Sequence, residues 1–120
     1  MKLCRPSSVV RRPFLKKLFM TICNITMQVS WAIHDEWLVW MKKEHIPLIM
    51  EQGSFDHYQF SRLKNVPEED GPTYCVQYYS SQQFASESDL QADYDHLLKR
   101  ISERWGTDCL SFRTIMEVIH

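Results

Sequence analysis

Residues 20–30, MTICNITMQVS, place the strongest constraint on this chain. Cys23, Ile25, Met27 and Val29 alternate with Asn24, Thr26 and Gln28 without a break. A period of two belongs to an extended strand, whose successive side chains leave opposite faces of the pleat. The segment must therefore sit in a sheet with one strongly apolar face. Ser30 follows as a helix-capping residue. From Ile33 the period changes: Ile33, Trp37, Trp40, Met41 and Leu48 recur at helical spacing, and Lys42, Lys43 and Glu44 form a solvated face. Pro47 lacks a backbone N–H and disfavours helical backbone at Ile46, so a kink or a fresh short turn is expected there. Gly53 is a good C-terminal stop.

The same two periods repeat downstream. Residues 54–64, SFDHYQFSRLK, predict a second strand, and the acidic stretch NVPEEDGP at 65–72 predicts a turn. TYCVQYYS at 73–80 predicts a third strand, rich in tyrosine. A long helix is expected from about 86 to 105, with Leu90, Tyr94, Leu97, Leu98, Ile101 and Trp105 as its stripe and Gly106 as its end. CLSFRTIMEVI at 109–119 closes the chain as a fourth strand. The order βαββαβ is that of the split βαβ, ferredoxin-like fold. Right-handed crossovers then place both helices on one face of a four-stranded antiparallel sheet.

Two helices cover one sheet face only. The other face should be polar if it meets water, yet both sides of these strands carry apolar and aromatic mass. In the last strand Leu110, Phe112, Met116 and Val118 oppose Ile115 and Ile119. A bare face of that kind exceeds the apolar patch that monomers usually tolerate. A homodimer with its sheets facing each other, a dimeric α/β barrel, is the expectation.

Composition bounds the rest. At 120 residues and 44% hydrophobic, the chain fits one domain, which is expected over residues 20–120. Residues 1–19 hold six of the 14 Lys and Arg residues and no acid. They read as a basic, disordered arm or an upstream extension, a poor signal peptide and far too charged to span a bilayer. Since the formal net charge is −1, the remainder stands at −7, which argues against a nucleic-acid-binding face. Four scattered cysteines form no C-x-x-C pair; they read as reduced core filler and point to a cytoplasmic setting. The five histidines include no H-x-x-x-H pair, and three glycines leave no phosphate loop, so no metal and no cofactor is expected.

IHDEWLVWMKKEHIP, then Gly-Ser-Phe, TYCVQYY and FRTIMEV, together resemble the bacterial domain-of-unknown-function family 4286 over about residues 20–119. The most specific piece is His-x-x-Trp-x-x-Trp-Met followed by Glu-His-Ile-Pro. The resemblance implies a small ferredoxin-like protein related to the dimeric α/β barrel group, with dimerisation and no assigned activity. It carries over the motif positions His34, Trp37, Trp40, Met41, His45 and Pro47 without roles.

Two functional readings follow. The first is a small dimeric binding or regulatory module with a pocket between the first helix and the sheet, suited to an apolar or aromatic small molecule. The second is a cofactor-light oxygenase or isomerase acting on such a molecule. There His34 or His45 would shuttle a proton at near-neutral pKa. Asn24 or Arg113 would orient an oxygen anion, and Trp37, Trp40 and Tyr78 would shape the cavity. The bland reading stands beside both: the tryptophans anchor the helix, and the histidines satisfy local partners. Haem-degrading members of the barrel group place an asparagine on the first strand and a histidine on the second helix, as Asn24 and His96 would stand here. The third-strand tryptophan of that pattern is absent.

Overall fold

The computed structural model describes residues 20–52, 54–81 and 87–119, with side chains in the last segment described from Tyr94 onward. The basic stretch 1–19 and Gly53 lie outside the described residues, so the expected arm and helix stop do too.

Four strands form one sheet: β1 (Thr21–Val29), β2 (His57–Arg62), β3 (Thr73–Ser80) and β4 (Cys109–Glu117). Their order across the sheet is β2-β3-β1-β4, and every neighbouring pair is antiparallel. That order and the intervening helices are the ferredoxin-like arrangement expected from the sequence. The alternation in β1 is realised residue by residue: Cys23, Ile25, Met27 and Val29 are buried, and the residues between them are half-buried. Opposite them, Tyr74, Val76 and Tyr78 of β3 are buried on the same face.

β2 is shorter than expected because the chain bends before His57. Phe55 turns under the sheet, where its ring lies 5.0 Å from Tyr78 and 6.4 Å from Tyr94. The β2–β3 loop closes through Gly71, whose backbone φ is +136°. A Cβ there would run into the Val29 carbonyl, so only glycine lets the two backbones approach.

The first helical stretch is not one helix. A 3-10 turn (Trp31–Ile33) leads into α1 (His34–Trp40), a π-helical turn (Met41–His45) and α2 (Ile46–Glu51). Ser30 caps the start, accepting a hydrogen bond from the Ala32 N–H at 3.3 Å. The cause of the break lies in Pro47: it has no N–H to donate, and its ring clashes with the carbonyl four residues back. A π turn inserts one extra residue and so shifts the buried face by one position. A regular helix carrying Trp37, Trp40 and Met41 inward would next bury positions 44 and 48. Instead His45, Ile46 and Ile49 are buried, while Glu44 and Leu48 are exposed. The expectation that Leu48 joins the inner stripe is thereby corrected.

The second long helix, α3 (Glu87–Trp105), buries Tyr94, Leu97, Ile101 and Trp105. Gly106, at φ +60°, ends it in the left-handed region. α1 and α3 meet where Trp40 and Trp105 pack edge to face at 5.7 Å. Trp37 wedges against Tyr74 at 5.0 Å and Phe60 at 6.0 Å. No helix among the described residues is long and apolar enough to cross a membrane.

Candidate functional site

The residues singled out in the sequence are dispersed over the fold rather than gathered at one site. Trp37, Trp40 and Tyr78 are core residues at 0%, 7% and 1% exposure. They fill the space between the first helix and the sheet, where a pocket was expected. The Tyr78 hydroxyl has no hydrogen-bond partner among the described residues, and burial pushes its pKa up.

His45 lies inside the helix layer. Its ring stacks on Trp40 at 4.6 Å, and its Nδ1 accepts a hydrogen bond from Arg100 Nε at 3.3 Å. Burial, then the Arg100 guanidinium and His96, lower its pKa to about 3. The near-neutral value expected for a proton shuttle is not met: desolvation without a carboxylate partner favours the uncharged ring.

His34 stands at another corner, at the start of α1. Its Nε2 lies 2.8 Å from the Tyr74 hydroxyl and its Nδ1 3.1 Å from Asp35. Next to it Arg62 reaches over the rings of Trp31 and Tyr74, at 5.9 and 5.8 Å. Arg62 also holds Glu68 with two hydrogen bonds of 2.7 and 3.2 Å. Trp31 donates its indole N–H to the Glu68 carbonyl at 2.8 Å. The cluster latches the β2–β3 loop to the helix start.

Arg113 projects on the helix side of β4 and pairs with Asp95 of α3 at 2.8 Å. Nearby, a groove of about 650 Å³ runs between α3 and β4, lined by Leu98, Lys99, Ser102, Cys109 and Ser111 among others. None of the residues picked from the sequence lines it.

Asn24 points the other way, onto the sheet face that carries no helix. Directly opposed residues in antiparallel strands share a face, so the ladder defines this surface row by row. At one end His57, Tyr79, Ile22 and Met116 stand in line. Gln59, Gln77, Asn24 and Thr114 form the next row, and Ser61, Cys75, Thr26 and Phe112 the third. Thr73, Gln28 and Leu110 follow. No outward position in the paired ladder is Asp, Glu, Lys or Arg.

Yet Phe112 is 63% and Leu110 48% exposed. The His57 and Tyr79 rings stack at 4.2 Å. Asn24 donates to Thr26 Oγ1 at 3.0 Å, and the Tyr79 hydroxyl donates to Gln77 Oε1 at 3.1 Å. The sequence signal for this surface was available in the polar half of each alternation, but only the register shows that the rows are free of charge.

The comparisons with known proteins agree with this architecture. Residues 20–119 match the family described as Domain of unknown function (DUF4286), and the chain belongs to it. No curated protein matches it in sequence. Among solved structures, it is similar to a dimeric ferredoxin-like protein from an uncultured marine organism. The TM-score is 0.58 at 8% identity, over 84% of this chain and 96% of that one. An ethyl tert-butyl ether D (EthD) family protein from Bacillus halodurans also gives 0.58, at 14% identity over 82% and 98% of the two chains. An EthD-like protein from Ralstonia eutropha gives 0.53, at 14% identity over 84% and 93%. At such identities the likeness is one of fold.

Proposed function

We propose that this DUF4286 member is a homodimeric small-molecule binding module, assembled by packing its helix-free sheet face against the same face of a second copy. One observation carries this reading: no outward ladder position on this face is Asp, Glu, Lys or Arg, yet the face exposes Phe112 and Leu110. A sheet face meeting water normally alternates apolar-in with polar or charged-out. Depletion of charge with aromatic enrichment marks the core of an interface.

The size is adequate. Four strands about 4.8 Å apart and about 26 Å long give roughly 500 Å² of flat area. Side-chain relief brings that close to the roughly 800 Å² per partner of a standard interface. The similar protein from the uncultured marine organism is itself described as dimeric. The three described cysteines are free, in keeping with a reducing, cytoplasmic setting. The alternative, a cofactor-light oxygenase or isomerase, draws no support from the histidines, because His34 is engaged by Tyr74 and Asp35 and His45 by Arg100.

The test is a pair of substitutions. Phe112→Asp buries a charge in the interface and is expected to give a monomer by sedimentation velocity. Val39→Glu, on the solvent side of α1, removes a comparably exposed side chain and is expected to leave the dimer intact. Equal behaviour of the two variants would refute the assignment of this face.

A further inference from the structure

We infer that the two apposed faces enclose a charge-free chamber that takes a neutral, flat molecule carrying both hydrogen-bond donors and acceptors, and that this chamber exists only when two copies meet. The inference rests on the face-to-face dimer proposed above and names the ligand class of that same surface.

The shape of the face is the first argument. Short side chains, Thr26 and Cys75, are neighbours at its middle. Long ones stand around them: Phe112 beside Thr26 on β4, and Tyr79 two rows away on β3. Sheets packed face to face lie about 10 Å apart. Phe112 can project into that gap, whereas Thr26 and Cys75, where they face the same residues of the second copy, cannot fill it. A void over the middle of the face is the geometric consequence.

The chemistry of the void follows from its rim. Asn24 and Gln77 lie directly opposite each other, next to that floor. Each is already held by one bond: Asn24 donates to Thr26 at 3.0 Å, and Gln77 accepts from Tyr79 at 3.1 Å. Those bonds orient the two amides within the face. An amide has two donor hydrogens and an acceptor oxygen, so each retains donor and acceptor capacity toward the partner sheet. Enclosing such groups unpaired costs free energy. Something with complementary donors and acceptors must meet them. The ring faces of Tyr79 and Phe112 favour a flat molecule. The absence of Asp, Glu, Lys and Arg from the outward rows disfavours an ion, which would lose its hydration without a compensating charge.

The experiment uses the full chain at a concentration where its mass is first measured by sedimentation. Calorimetric titration then compares two neutral flat amides, nicotinamide and uracil, with their anionic counterparts of similar shape, nicotinate and orotate. At least one neutral probe is expected to bind, and neither anion. In Asn24→Ala and in Gln77→Ala, both checked to remain dimeric, that probe is expected to bind at least roughly tenfold more weakly, as loss of one hydrogen bond implies. A dimer that binds neither neutral probe would overturn the chamber, which direct amide pairing across the dimer would then fill. So would anions binding equally well, or alanine variants binding as the parent does. A chain that sediments as a monomer would instead remove the dimer itself, and the chamber with it.

Discussion

Replacing His45 with glutamine should flatten the acid dependence of stability. Glutamine puts a neutral amide of similar size in place of the ring and cannot take up a proton. In the folded chain the His45 pKa is about 3, against an ordinary value of 6.5. Between those values the unfolded chain binds a proton that the folded chain refuses. The ring's contribution is therefore fully present above pH 6.5, and it is lost as pH falls toward 3. Each pKa unit corresponds to about 1.4 kcal/mol. Integrated from pH 7 to 4.5, the single site removes about 2.5 kcal/mol from the unfolding free energy. That is a large fraction of the ~5–15 kcal/mol typical of a domain. The assay is urea denaturation at half-unit steps across that range, at one fixed protein concentration. The two chains differ only at residue 45, so the comparison isolates that site. His45→Gln is expected to lose about 2.5 kcal/mol less than the parent. Parallel curves for the two chains would show that the buried ring is not held uncharged, and the argument from burial and Arg100 would fail.

Other outcomes follow from the same packing. Gly71→Ala should cost about 3 kcal/mol or more by thermal or urea unfolding, because a side chain at φ +136° would meet the Val29 carbonyl. Tyr78→Phe removes a buried hydroxyl that lacks a partner among the described residues, so it should be neutral or stabilise by about 1 kcal/mol; a loss of that size would place a further partner on the oxygen. Arg113→Ala should change stability by less than about 1 kcal/mol, since its partner Asp95 is largely exposed. Tyr74→Phe should cost about 1 kcal/mol through the lost bond to His34.

The fold was legible because period alone distinguishes strand from helix. The run from Cys23 to Val29 and the stripe from Tyr94 to Trp105 both appear where their spacing puts them. The misreadings have one local cause each. Phe55 looks like a strand residue, but the bend before His57 turns it under the sheet. Leu48 falls in helical phase with Trp37 and Met41, but the π turn before Pro47 moves that phase to Ile49. The candidate site was less legible. His34 and His45 share a strip in an unbroken helix, but they stand about three turns, roughly 16 Å, apart along it. A sequence also lists the polar half of each strand without saying which residues stand side by side. The uncharged rows around Asn24, Gln77 and Thr26 emerge only from the pairing of β3 with β1 and of β1 with β4.

Everything functional here depends on the helix-free face being covered by a second copy. Light scattering on the native chain as it elutes from a sizing column, at micromolar concentration, measures this directly. The account predicts twice the 14.4 kDa of one chain. A single-chain mass that stays constant as the concentration rises would contradict it.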